Sequence, residues 1–181
     1  ARDFLSKFAG LRGLHLDCML TELPSAITDM TQLTHLRLSG NGIRLTEASA
    51  QRLASMVNPR ELIMDNNPQL GVPPDVSAMS QLHRLQLVNT GLTQWPIGAE
   101  TLARLEDLHL QENAISEIPE AVFLQERIGL PRRNVLLHDN PLSPATLERI
   151  EEYRRNTGVR LGGVLGPRHQ PPATDGVSQW L

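Results

Sequence analysis

The sequence predicts an α/β solenoid: a curved parallel sheet on the concave side, short helices and loops on the convex side, and a capping helix at the carboxyl end. Three observations predict it. Six times between Leu11 and Leu142 the chain repeats L-x-x-L-x-L, as in Leu33-Thr-His-Leu36-Arg-Leu38 and Leu105-Glu-Asp-Leu108-His-Leu110. A small polar residue follows each motif, asparagine at Asn41, Asn67, Asn113 and Asn140 and threonine at Thr90. Four copies then run on to a proline, at Leu23-Pro24, Pro73-Pro74, Trp95-Pro96 and Ile118-Pro119.

Each letter of the motif has a physical reason. A short strand sends alternate residues to opposite sides, so the leucines face inward and the x residues line the concave face. The asparagine is expected to turn inward, where its amide satisfies backbone groups as the chain leaves the strand. No copy can bury its own leucines; stacking does so. The copies begin at 11, 33, 59, 82, 105 and 132, in steps of 22, 26, 23, 23 and 27. All fall within the roughly 20–29 residues of a leucine-rich repeat.

The elements follow in order. Residues 1–10, with Phe4, Leu5 and Phe8, read as the convex half of a partial N-terminal repeat. Residues 11–142 hold about six repeats. The first is one residue short between Leu16 and Leu20, which predicts an irregular turn. The longer steps leave room for convex helices, one over 44–57 with Leu45, Ala48, Leu53 and Met56 at helical spacing, one over 120–128 with Ala121, Val122, Leu124 and Ile128. Residues 143–161 read as the capping helix and its exit. Ser143 is an N-cap, Pro144 suits the first turn, and Gly158 suits the C′ position. Leu147, Ile150 and Tyr153 are expected to share the buried face, with Glu148, Glu151 and Glu152 early and Arg154 and Arg155 late, to suit the helix dipole. Residues 162–181 read as a linker, and its last apolar residues, Val177, Trp180 and Leu181, as the approach to a missing C-terminal domain. The chain starts on Ala1 rather than Met, so it is expected to be cut from a longer protein.

Composition narrows the class. The chain has 181 residues, 40% hydrophobic, which fits one elongated domain. No apolar run reaches membrane-span length, and no signal peptide is recognisable. The one cysteine, Cys18, is expected to be a small buried thiol. Extracellular repeat proteins of animals carry cysteine-clustered caps and N-x-[ST] sequons; with neither here, a reducing or bacterial setting fits better. No phosphate loop, H-E-x-x-H or paired C-x-x-C occurs. Five of six histidines fall on strand or strand-exit positions, but His15 and His35 occupy different columns, as do His83 and His109, so no metal site is expected. Net charge is −3 and aromatic content 3%, which argues against a nucleic-acid partner. No cofactor is expected.

Function is expected on the concave side chains, which are free of packing duty. Partner contacts are expected at Arg12 and His15 of the first repeat, His35 and Arg37 of the second, Arg60 and Ile63 of the third. His83, Arg84 and Gln86 of the fourth, Asp107 and His109 of the fifth and Leu136 of the sixth complete the set. Arg12, Arg37, Arg60 and Arg84 lie in the first four repeats beside a single acid, Glu61, whereas the fifth carries Glu106, Asp107 and Glu112. A basic-to-acidic gradient along the stack would orient a partner with an acidic patch, or the arginines would merely solubilise the sheet.

The run Asn140-Pro-Leu-Ser-Pro-Ala-Thr-Leu147, continuing through Tyr153-Arg-Arg-Asn-Thr-Gly158 after proline-containing repeats, resembles the junction of bacterial NEL-type ("novel E3 ligase") effectors. The resemblance implies a repeat domain that recruits a protein substrate, ahead of a helical ubiquitin-ligase domain whose C-x-D cysteine carries ubiquitin as a thioester. It also implies secretion by a bacterium, action in the host cytoplasm, and contact with the ubiquitin-loaded conjugating enzyme only through the missing domain. Cys18 is followed by Met19 and Leu20, so no C-x-D and no catalytic residue lies in this chain. Lys7 is the only lysine among 17 basic residues, which either reflects arginine-rich codon usage or suits a protein working beside ubiquitin machinery. The alternative is a stand-alone binding module or scaffold with no enzyme attached. Either way a monomer is expected, with no membrane partner.

Overall fold

The computed structural model describes residue 7, residues 10–124 and residues 134–162. Six three-residue strands form one parallel sheet in chain order: β1 Gly13–His15, β2 His35–Arg37, β3 Glu61–Ile63, β4 Arg84–Gln86, β5 Asp107–His109 and β6 Asn134–Leu136. Each strand is centred on the second leucine of its motif, or on Val135 in β6, one residue earlier than the L-x-L segment that alternation suggested. The register joins equivalent positions: Leu14, Leu36, Leu62, Leu85, Leu108 and Val135 are successive partners across the sheet.

Those residues form the spine of the core. Leu36, Leu62 and Leu85 are fully buried and Leu108 nearly so, and the residue two positions on is buried in each case, at Leu38, Met64, Leu87 and Leu110. Trp95 fills the leucine slot ahead of Pro96 and is buried. The first repeat is looser. Leu11, Leu14, Leu16 and Leu20 are only half-buried against the core.

One feature recurs after every strand. The residue eight positions into each of repeats two to six is left-handed: Gly40 (φ 70), Asn66 (φ 59), Asn89 (φ 53), Glu112 (φ 60) and Asp139 (φ 60). That twist re-aims the chain so that the next residue, the asparagine or threonine, points inward. In the short first repeat the left-handed residue is Met19 (φ 54), one position late, and its side chain is 86% exposed. Cys18 is therefore exposed, not the buried thiol expected from its type.

The convex side carries α1 Ser25–Thr28, α2 Glu47–Ala54, a 3-10 turn Ala99–Thr101 and α3 Glu120–Leu124. Helix α2 lies inside the predicted segment and opens with a capping box between Thr46 and Ser49. Leu45, Leu53 and Met56 are buried, but Ala48 faces outward and Ser49 takes the inner place. In α3 only Phe123 is buried and Val122 half-buried; Ala121 and Leu124 are exposed. No helix among the described residues is long and apolar enough to cross a membrane.

Helix α4, Pro144–Thr157, closes the carboxyl end as its caps predict. Ser143 Oγ accepts the amide of Thr146 (3.1 Å), and Gly158 (φ 74) returns its N–H to Arg154. Thr146, Ile150 and Tyr153 form the buried stripe, at i, i+4 and i+7. Leu147 lies one residue, about 100°, round from that stripe and is 43% exposed, so the expected face is corrected there. The glutamates are also mid-helical rather than in the first turn; Glu151 and Glu152 pair instead with Arg154 and Arg149. The helix is tied to the fifth repeat by Thr146 Oγ1 donating to Ser116 O (3.1 Å), by Tyr153 edge-on to Phe123, and by Arg149 over Phe123 and on Glu120 (2.6 Å). Gly162 adds a parallel bridge to Leu136. The partial repeat with Phe4, Leu5 and Phe8, the position of Ile128, and the linker from 163 to 181 lie outside the described residues.

Candidate functional site

The face available for binding is set by two ladders, one on each side of the sheet. The inner one is made of the asparagines. Asn41 Oδ1 accepts from Leu20 N (2.9 Å) and Cys18 N (3.2 Å) of the repeat before it, while Nδ2 donates to Leu16 O and Leu38 O. Asn67 accepts from Ile43 N (3.1 Å) and donates to Leu38 O and Met64 O. Asn113 and Asn140 repeat the pattern onto Leu92 and Ile115. Thr90 keeps only part of it: its hydroxyl lies 2.9 Å from Leu87 O and 2.9 Å from Asn113 Oδ1. Each rung satisfies buried backbone groups that a parallel three-residue strand leaves open, which makes the concave face a rigid platform.

The outer ladder is ionic. Arg37 of β2 grips Glu61 of β3 through Nε and Nη2, both 2.7 Å from Oε1. Glu61 is buried on the sheet face, its side chain only 7% exposed. Arg84 of β4 stands between Glu61 (3.9 Å) and Asp107 of β5 (3.4 Å), and Asn134 of β6 donates to Asp107 at 3.4 Å. Four alternating charges thus cancel across the middle of the face.

Most of the expected contact residues are on this face, but not as a free basic run. Arg12, His15, His35, Arg37 and Arg60 are exposed; His83, Arg84, Gln86, Asp107, His109 and Leu136 are half-buried. Ile63 is buried, with 8% exposure, so it packs rather than offers surface. Of the four arginines, Arg37 and Arg84 are compensated by Glu61 and Asp107. Arg12 and Arg60, on the row just before the strands, have no ion-pair partner among the described residues. The gradient along the stack is therefore locally cancelled at its centre. The signal for this was the sign alternation at one repeat position, Glu61, Arg84, Asp107, which faces like positions across neighbouring strands.

Asp65 lies half-buried in the turn leaving β3. Its Oδ1 accepts the amide of Val88 (2.8 Å). Burial raises its carboxyl above the ordinary aspartate value, while the Val88 hydrogen bond and the charge of His109 oppose that rise. Within the described residues no three His, Cys, Asp or Glu side chains converge as metal ligands.

No family model matches the chain. Among solved structures, a leucine-rich-repeat protein of Leptospira interrogans is similar with a TM-score of 0.61 and 21% identity, over 84% of this chain and 49% of that one. The functional domain of InlJ from Listeria monocytogenes is similar with a TM-score of 0.50 and 20% identity, over 80% and 39%. The chain has the leucine-rich-repeat fold. Curated relatives include the volume-regulated anion channel subunit LRRC8D of Homo sapiens and of Rattus norvegicus, each 30% identical over 123 residues. The match covers 66% of this chain, which spans 14% of those relatives' length.

Proposed function

We propose that this chain binds a protein partner through its concave face, as the substrate-recognition part of a bacterial secreted E3 ubiquitin ligase. One observation carries the binding reading. Apart from Glu61 and Ile63, which are buried, the outer side chains of the strands are held in register by the inward rungs beside them and are left facing solvent or half-buried on the sheet face. A preformed array of polar side chains a fixed distance apart recognises a complementary surface with little ordering cost.

The ligase reading is supported by the carboxyl end. Ser143 to Gly158 builds a closed capping helix from the residues that resemble the NEL-type junction, and the chain leaves it beside β6 at Gly162. Chemistry in this reading belongs to a further domain with a C-x-D cysteine, acting in a host cytoplasm on whatever the repeats hold. The LRRC8D relatives are channel subunits, and the stretch they share with this chain is a small part of them. A stand-alone binding module is the competing reading. A ubiquitin-chain assay on the full gene product separates the two. Chains that vanish when the C-x-D cysteine is replaced support the ligase. A full-length product without that motif, or without chains, leaves only the binding module.

A further inference from the structure

We infer that the concave face takes its partner by an acidic side chain, an aspartate or glutamate on a protein segment, docked at Arg84 beside His109. The inference rests on the concave face being the binding surface and goes on to name the anchor and its chemistry.

The two arginines of the outer ladder are held very differently. Arg37 makes two contacts of 2.7 Å to one carboxylate oxygen and is committed. Arg84 has only long contacts, 3.4 Å to Asp107 and 3.9 Å to Glu61, the second beyond hydrogen-bond reach. Its Nε is buried and has no hydrogen-bond partner among the described residues. Yet the side chain is 39% exposed, so the guanidinium can be approached from the concave side. Glu61 is already satisfied by Arg37, and Asp107 also accepts from Asn134, so neither acid depends on Arg84 alone.

Unmade hydrogen bonds gather at this point of the face. Besides Arg84 Nε, both His109 Nε2 on β5 and Gln111 Oε1 just after it are buried without hydrogen-bond partners among the described residues. Gln86 is the register partner of His109, and Arg84 that of Asp107, so these groups share two adjacent strands. A buried polar atom without a bond is costly until something supplies one. A carboxylate accepts from the nitrogens of a guanidinium fork at two points, which a neutral amide or hydroxyl does less well. A central, half-desolvated arginine flanked by polar groups is also the kind of position where binding energy concentrates.

The test uses a random-peptide display library selected on the whole chain, with affinities measured against Arg84→Gln and against Arg52→Gln on the convex helix α2, and melting curves to show that both variants stay folded. The expected result is enrichment of Asp or Glu at one position of the bound peptides. Replacing that residue by Asn or Gln, or Arg84 by Gln, then weakens binding at least about tenfold, while Arg52→Gln, on the convex side, changes it less than about threefold. Peptides that bind the concave face without an acidic residue, or equally well after Arg84→Gln, overturn the anchor and leave the binding face standing. Peptides that bind elsewhere on the molecule, or no binders at all, overturn both.

Discussion

The asparagine ladder and the ion ladder cross the same strands, a few ångströms apart, yet answer to different physics. Asn41, Asn67 and Thr90 are buried, where water cannot replace a lost bond, so these rungs are obligatory. The charges lie on top, where Arg37 is 47% exposed and Arg84 39%, and solvent can stand in for either. The inner ladder therefore maintains the solenoid, while the outer one shapes what the solenoid presents. The difference teaches that a repeat position held by inward hydrogen bonds, asparagine in four copies and threonine in one, is structural, and one whose charge alternates from copy to copy is free to serve recognition.

The sharpest way to break this contrast is Asn67→Ala. It leaves the amide of Ile43 and the carbonyl of Met64 without their side-chain partner, while Leu38 O keeps only Asn41, and urea unfolding should show a loss of about 3 kcal/mol or more. A loss under about 1 kcal/mol would mean that the inner rungs are as replaceable as the outer ones. On the outer ladder, a double-mutant cycle between Arg37 and Glu61 should give a coupling of only about 1 kcal/mol that shrinks with added salt, because the arginine is half exposed.

Smaller effects sharpen the picture. Glu112 holds a left-handed turn that asparagine fills at Asn66 and Asn89. Glu112→Asn should therefore stabilise the fold, by about 0.5 kcal/mol, as relief of backbone strain. A destabilised variant would show that the glutamate does something else there. The smallest effect is expected at Asp65, whose raised carboxyl means that the folded state favours its protonated form. Its contribution to stability is complete below the unfolded pKa, near the ordinary 3.8, and is lost as pH rises through the higher folded value. Asp65→Asn keeps an acceptor for Val88 and removes that loss. Its melting temperature should exceed the parent's slightly at pH 7 and match it near pH 3; a lower value at pH 7 would contradict the burial argument.

Much of the architecture was legible in the residues. Repeat spacing, inward leucines, the inward asparagines, α2 and the caps at Ser143 and Gly158 all follow from local rules of period and hydrogen bonding. The errors share a cause. Cys18, Ala48 and Leu147 were assigned by residue type or approximate period, and each missed its facing by a shift of one residue: a late left-handed turn at Met19, Ser49 taking the inner place in α2, and a stripe centred on Thr146 and Ile150. Ile63 lines the face as read but is buried there.

What the sequence by itself determined is the stack: six copies of one short phrase cannot bury their leucines except side by side, so period alone dictates a parallel sheet with its x residues outward. Only the tertiary structure decided what those x residues amount to. Arg37, Glu61, Arg84 and Asp107 are 23 or 24 positions apart in the chain or one step further along the stack, and their charges cancel or remain according to distances of an ångström or less. Coulomb and hydrogen-bond energies depend steeply on such distances. No reading of spacing can supply them, which is why Arg37 and Arg84 look alike in the sequence and differ on the face.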